Sequence, residues 1–335
     1  MKVAFVQVDS WEKKIIRDEL KGNKIIFLDE PLTTQNILKI RDSKIISIFI
    51  QTKLTKGLIE KMPRLKFIIT RSMGFDHIDL KEAKKRKIIV SNIPTYGENT
   101  VAEHTFALIL ALSRNVHKSY LRTLKRDYSI DGLKGFDLKG KTLGVIGAGH
   151  IGKHVIRIGR GFEMNVLVND NHPDNFLAEE MNFKYISLKE LLKKSDIVTL
   201  HIPYAKENHH FINKNTISQM KKGSIIINTS RGAIIDTEAL IEALQSKHLS
   251  GAGLDVIEGE EFIKEEKQLL HEKEKIKALE QLVEGHVLLG MDNVVFTPHI
   301  AFYSQEALER IIHDTVDIIK EFIQKGDVDK KYKVH

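Results

Sequence analysis

The chain contains no cysteine. That absence excludes disulfides, a thiolate nucleophile and Cys-type zinc or iron–sulfur sites, and it fits a reducing compartment. Long apolar runs are missing as well. The opening stretch MKVAFVQVDSW is too short for the core of a signal peptide, and the longest later run, FALILAL at 106–112, cannot span a bilayer. These features predict a cytoplasmic protein with no membrane partner. Charge of one sign is lacking too: 52 Lys and Arg stand against 45 Asp and Glu. The net +7 is spread along the chain, which argues for solvated surface and against a nucleic-acid partner. Neither an internal repeat nor a low-complexity tract appears. What is present is an ordinary soluble balance, 42% hydrophobic and 29% charged, over 335 residues, enough for two cores.

From the start, short β-rich runs alternate with amphipathic helical stretches: KVAFVQV then WEKKIIRDEL, KIIFLD then TQNILKIR, KIISIFI then LTKGLIEKM, LKFIIT then DLKEAKKR, and KIIVSN. That rhythm predicts a parallel sheet with crossover helices. A mostly apolar helix follows over about Glu98 to Arg114. After it, SYLRTLKRDYSIDGLKGFDLKGK reads as an irregular inter-domain or subunit-contact arm. The alternation restarts at Lys141 with strands near TLGVIG, NVLVN, FKYIS, DIVTLHIP, SIIINTS, GAGLDV and NVVFTP, while SLKE at 187–190 has the capping-box pattern. A final helix over about Ser304 to Gln324 is expected to return to the first domain. The charged stretch 260–285 predicts an exposed helical excursion.

In TLGVIGAGHIGKHVIRIGRGFEMNVLVND, Gly147, Gly149 and Gly152 have GxGxxG spacing between an apolar run and a helical pattern. Gly147 allows the tight turn, Gly149 the approach of a pyrophosphate, and Gly152 close packing of helix on strand, while the helix N-terminus attracts phosphate. The next strand ends at Asp170, 23 residues after Gly147, where an acid accepts hydrogen bonds from an adenosine ribose. A carboxylate there repels a 2′-phosphate, so NAD is expected in preference to NADP. His150 and His154 are four apart, a metal-ligand spacing, yet no third ligand follows in register and His150 lies where phosphate is expected; no metal is assigned.

A second group of residues falls at strand exits. Arg231 follows SIIIN, Asp255 and Glu260 lie in GLDVIEGE, and His299 follows Pro298, which marks the end of NVVF. Carboxyl ends of strands are where open α/β sheets bind ligands. The arginine fork can hold a substrate carboxylate in two parallel hydrogen bonds. Histidine can protonate a carbonyl oxygen as hydride reaches carbon, and a carboxylate beside it, from Asp255 or Glu260, favours the imidazolium form that does so.

GAGHIG, NTSRGAIID, GLDVIEGE, TPHIAFY, TRSMGFDHIDL and IPTYGENTVAEH together resemble the D-2-hydroxyacid dehydrogenases, most closely their D-lactate dehydrogenase branch, from about residue 40 to the C-terminus. The resemblance implies two doubly wound α/β domains, a Rossmann NAD domain at 100–299 inserted into a flavodoxin-like substrate domain of 1–99 and 300–335. It implies a cleft at their junction closed by a hinge near residues 99 and 299, and usually a homodimer built on the nucleotide domains. By the same resemblance Arg231 binds the substrate carboxylate, Glu260 partners the histidine and His299 donates the proton. Glu260, 29 positions after Arg231, keeps the family spacing and Glu258 does not. His150, Ile151, Asp170, Ile202, Pro203, Asn208, Thr229, Ser230 and Asp255 fall where the family contacts NAD. Met73 and Gly74 would offer backbone N–H groups to the substrate, a small 2-oxo or 2-hydroxy acid, and Tyr96 and Tyr303 would line its pocket. Near Gln51, where some lactate-specific members carry an aromatic residue, this chain reads FIQTK, a departure that bears on substrate size. His104, His201 and the pair His209-His210 are expected to be structural. Pyruvate to D-lactate is the expected reaction; a larger 2-oxo acid, phosphite, or an NAD-sensing corepressor role are the alternatives.

Overall fold

A computed structural model of the chain describes residues 1–260 and 276–334. It divides into two compact units, Met1–Tyr96 with Ser304–His335, and Gly97–Tyr303.

The first unit is built on β1 (Lys2–Val6), α1 (Ser10–Glu19), β2 (Lys24–Leu28), β3 (Ile45–Ile48), α2 (Lys56–Glu60), β4 (Phe67–Thr70), α3 (Leu80–Lys85) and β5 (Ile89–Ser91). Its five strands are all parallel, in the order β2-β1-β3-β4-β5. β3 and β4 are buried along their whole length, which is why IISI and FIIT read as mostly apolar runs: helices cover both faces of a parallel sheet. Asp9 starts α1, its N–H donating to Glu12 Oε2 at 2.5 Å as the reciprocal half of a capping box. The order reverses direction between β1 and β3, placing Gln7 and Gln51 on adjoining strand exits, where Gln7 Nε2 donates to Gln51 Oε1 at 2.6 Å.

In the second unit come α4 (Glu98–Arg114), α5 (Val116–Leu124), β6 (Thr142–Ile146), α6 (His150–Gly161), β7 (Asn165–Asn169), α7 (Asn175–Glu180), β8 (Lys184–Tyr185), α8 (Leu188–Lys194), β9 (Ile197–Leu200), α9 (Lys214–Ser218), β10 (Ser224–Asn228), α10 (Thr237–Gln245), β11 (Leu249–Leu254), α11 (Ile276–Leu289) and β12 (Val294–Phe296). Seven parallel strands run β12-β11-β10-β9-β6-β7-β8. The chain builds outward from β6 in one direction and from β9 in the other. A crevice therefore opens where the loops after β6 and β9 diverge, the place where such sheets bind ligands. Ser187 caps α8 as the SLKE pattern predicts, its hydroxyl accepting from Glu190 N at 3.3 Å. α12 (Gln305–Lys325) then belongs to the first unit, with Phe322 stacked on Phe67 at 4.5 Å; burial of a ring like Phe322 contributes about 1.5–3 kcal/mol.

One feature differs from the sequence reading. The arm taken as irregular contains α5, whose apolar residues recur at helical spacing but bury nothing: Tyr120, Leu121 and Leu124 are about 60% exposed, and Tyr128 and Ile130 farther along are 78% and 82% exposed. The charged excursion ends in the α11 helix, and its 261–275 portion lies outside the described residues.

Candidate active site

The glycine loop shows why each small residue is needed. Gly147 has φ +95°, a left-handed conformation, and a β-carbon on it would lie 2.6 Å from the carbonyl oxygen of His201. At Gly152 a β-carbon would come within 2.0 Å of the Gly147 carbonyl oxygen, so helix α6 could not seat on β6. Gly149 is different, for nothing stands within 4 Å of where its β-carbon would be. That open space lies at the N-cap of α6, which receives no side-chain capping bond, so the first-turn N–H groups face it as an anion site. Asp170 Oδ2 accepts the Ala148 N–H at 2.7 Å and Oδ1 that of His172 at 2.8 Å, which holds the carboxylate beside the loop. Loop, helix dipole and acid fit the pyrophosphate and ribose of NAD.

The other residues expected at the cofactor follow the carboxyl ends of β6, β9 and β10 in the same sheet. Ile151 and Ile202 are half-buried against the two cores of the unit. Asn208 closes the loop after β9, its Nδ2 donating to the Pro203 carbonyl at 2.6 Å and its Oδ1 accepting from Ala205 N at 2.7 Å. Thr229 is buried, with its hydroxyl 3.0 Å from that of Thr105 on α4. His150 Nδ1 sits 3.1 Å from Glu98 Oε1, and Glu98 Oε2 is 3.9 Å from His154 Nε2. A third group, a carboxylate, thus comes from α4 and not from the register of α6. His154 has its pKa lowered, by burial first and by Arg157 next.

Arg231 is positioned by the end of β10. Asn228 accepts from both the N–H (3.0 Å) and the hydroxyl (2.8 Å) of Ser230, and its Nδ2 donates to the Arg231 carbonyl at 2.9 Å. Gly232 then lets this loop lie directly on the one after β11, since a β-carbon there would be 2.1 Å from the Ile257 carbonyl carbon. Sequence reasoning missed Asn228; a polar residue closing a fully apolar strand was the available signal.

Asp255 follows β11 and is 1% exposed. Its Oδ1 accepts from Thr297 Oγ1 at 2.6 Å and Ile300 N at 2.9 Å, its Oδ2 from Ala301 N at 2.8 Å, and its carbonyl from His299 N at 2.9 Å. The carboxylate is a clamp for residues 297–301. His104 of α4 completes it, with Nε2 2.9 Å from Thr297 Oγ1 and 3.6 Å from Asp255 Oδ1. Burial lowers the pKa of His104, opposed by the charge of Asp255.

Within that clamp His299 adopts φ 58°, a left-handed conformation that costs about 1–3 kcal/mol in a residue with a side chain. The geometry separates the two carboxylates that the sequence left open as its partner. Glu260 Oε1 lies 2.6 Å from His299 Nδ1, whereas both oxygens of Asp255 are bonded to the 297–301 segment. A pair with this geometry fixes the ring and leaves Nε2 to face a reacting oxygen.

In the first unit the loop after β4 carries Met73 and Gly74, whose carbonyls accept from Asn92 Nδ2 at 2.7 Å and Ser72 Oγ at 2.6 Å. Tyr96 is buried and its carbonyl accepts from Arg310 Nε at 2.7 Å, while Tyr303, in the second unit, is 60% exposed. Arg71 is buried under these exits: it donates to Ser47 Oγ at 3.0 Å, to the Val6 carbonyl at 2.9 Å and to the Gln7 carbonyl, and burial pulls its pKa down to about 10.

A dinucleotide loop followed on the same sheet by an arginine and a carboxylate–histidine pair defines an NAD-dependent oxidoreductase. Residues 106–301 match the family model described as D-isomer specific 2-hydroxyacid dehydrogenase, NAD binding domain. The D-lactate dehydrogenase of Escherichia coli K12 is 34% identical over 331 residues, 98% of each chain. An aromatic 2-oxoacid reductase of Clostridium sporogenes is 38% identical over 283 residues, 84% of this chain and 83% of that one. Among solved structures, a D-lactate dehydrogenase from Aquifex aeolicus complexed with NAD and lactic acid superposes with a TM-score of 0.85 at 40% identity, covering 99% of this chain and 98% of that one. The chain belongs to the D-isomer specific 2-hydroxyacid dehydrogenases, and its cofactor is NAD.

Proposed function

We propose that this NAD-dependent D-2-hydroxyacid dehydrogenase reduces pyruvate to D-lactate, with Arg231, Glu260 and His299 as its catalytic set. The observation that carries the reading is the 2.6 Å contact of Glu260 with His299 Nδ1, at a strand exit of the sheet that also presents Arg231. NADH, when bound, supplies the hydride. Arg231 holds the substrate carboxylate through its planar fork, which sets the 2-oxo group in one orientation. His299 delivers a proton from Nε2 to the carbonyl oxygen as that oxygen gains charge, and Glu260 stabilises the imidazolium before transfer. In the oxidative direction the same nitrogen takes the hydroxyl proton back.

In this reading the unit Gly97–Tyr303 is the NAD-binding domain and Met1–Tyr96 with Ser304–His335 the substrate domain. Met73, Gly74 and Tyr96, with Tyr303, are its proposed substrate contacts. Lactate as product is supported by the relatives named D-lactate dehydrogenase. One observation favours a larger or more polar 2-oxo acid: Gln51 pairs with Gln7 through an amide at 2.6 Å, near where some lactate-specific members of the family carry an aromatic residue. The exposed apolar side chains of the arm, Tyr120 to Ile130, favour a homodimer, to be read by light scattering. A panel of pyruvate, 2-oxobutyrate, phenylpyruvate and phosphite, followed by NADH absorbance with the product's handedness assigned, tests the proposal. Preference for pyruvate with a D product supports it; preference for phenylpyruvate would move the enzyme to the aromatic reductases.

A further inference from the structure

Apart from the dehydrogenase residues, the loops after β9 and β11 bring together His209, His210 and Glu258. A nitrogen of each imidazole and an oxygen of the carboxylate all lie within 4.8 Å of one another. The backbone produces this grouping. Successive residues of an extended chain point to opposite sides, but His210 has φ 52°, in the left-handed region, and its ring stacks on that of His209 with 3.9 Å between centroids. Two bonds hold the turn: His210 N donates to the Ala233 carbonyl and Asn213 Nδ2 to the His210 carbonyl, both at 2.9 Å. Around the ring, His210 Nε2 is 2.8 Å from Glu258 Oε2, and Nδ1 faces Asp236 Oδ2 at 3.9 Å. Asp236 is itself fixed as the N-cap of α10, where its Oδ1 accepts from Ala239 N at 3.1 Å.

We propose that His209, His210 and Glu258 form a binding site for a divalent transition cation of zinc-like chemistry. Two imidazoles and one carboxylate are the donor set of open zinc sites. Oxygen-seeking calcium and magnesium are disfavoured by the two nitrogens. Zinc bonds of about 2.0–2.1 Å at tetrahedral angles separate ligand atoms by about 3.3 Å, so the His210–Glu258 pair at 2.8 Å opens by about half an ångström and His209 moves to match. His209, the exposed member, has the freedom to do so and gives the ion its entry. A bound ion would tie the loop after β9 to the loop after β11, two residues before Glu260.

The test uses the full chain stripped with a chelator and dialysed, then titrated with zinc by calorimetry and with cobalt(II) by visible absorption. One ion per chain is expected, with tetrahedral-type cobalt bands and a thermal midpoint that rises with zinc concentration. His209→Ala and Glu258→Gln should each weaken binding by about tenfold or more. His154→Ala, in the separate His150–His154–Glu98 group, should bind zinc as the native chain does. Because His209 is exposed, its variant should fold normally, which the metal-free melting curve checks. Absence of saturable binding, or unaltered binding in His209→Ala, overturns the proposal without touching the dehydrogenase reading.

Discussion

Replacing Asp255 by asparagine separates a structural clamp from a cofactor contact. The native carboxylate serves three donors, Thr297 Oγ1, Ile300 N and Ala301 N, in a site 1% exposed. An amide retains one acceptor oxygen, which can still serve Thr297 and Ile300. Its NH2 group then faces the N–H of Ala301, a residue only 4% exposed, so one buried donor loses its partner. Orphaning a buried N–H costs about 1–3 kcal/mol. At about 2 kcal/mol, with about 2–4 °C per kcal/mol for a domain of this size, the midpoint should fall by about 4–8 °C. Because His299 lies inside the clamped segment in a strained left-handed conformation, turnover should fall as well, by up to about 100-fold for a displacement near 1 Å. Circular dichroism melts give the first number, steady-state NADH oxidation the second, and NADH fluorescence titration should show the smallest change. A variant that melts like the native protein but binds NADH poorly would refute the clamp and give the carboxylate to the cofactor.

The remaining predictions concern the acid, the cofactor preference and pH. His299→Ala should leave NADH binding nearly intact while turnover drops by roughly 100- to 10,000-fold; full activity would remove His299 from the chemistry, and Glu260→Gln should lower kcat more than it raises KM. Asp170→Ala removes both the acceptor for Ala148 N–H and the charge that repels a 2′-phosphate, so the NADH-to-NADPH ratio of kcat/KM should fall by about tenfold, the equivalent of about 1.4 kcal/mol. An unchanged ratio would show that Asp170 does not face the ribose. His201 has its Nδ1 sealed from water without a partner, and burial lowers its pKa to about 3. Between that value and an ordinary imidazole pKa of about 6.5 the unfolded chain binds the extra proton, so stability holds above pH 6.5 and declines as pH falls through the window, by about 1–2 kcal/mol from pH 7 to pH 5. Urea midpoints measured against pH should show a shallower acid limb in His201→Gln; parallel curves would dismiss His201 as the source.

Sequence exposes what is local and hides what is closed by distant chain. Strands such as IISI and SIIIN read correctly because double-sided burial makes them mostly apolar, and Gly147 read correctly because a positive φ and a close carbonyl leave no other residue possible. Helix α5 was lost for the opposite reason. Val116, Tyr120, Leu121 and Leu124 recur at helical spacing, but with no core to receive them the charges and glycines that follow dominate the pattern. Asp255 carries the same lesson at the site. A lone aspartate after a strand is consistent with turn, ribose contact or histidine partner, and the choice depends on the 42 residues or more that separate it from Thr297, Ile300 and Ala301. The third group beside His150 and His154 arrived from Glu98, more than fifty positions away, for the same reason. His210 is the extreme case: only a tertiary fold that pins its carbonyl and amide could hold a left-handed histidine, and that turn is what places two imidazoles on one side of the chain. A spacing rule looks for ligands in register along one element, and so it can find neither cluster.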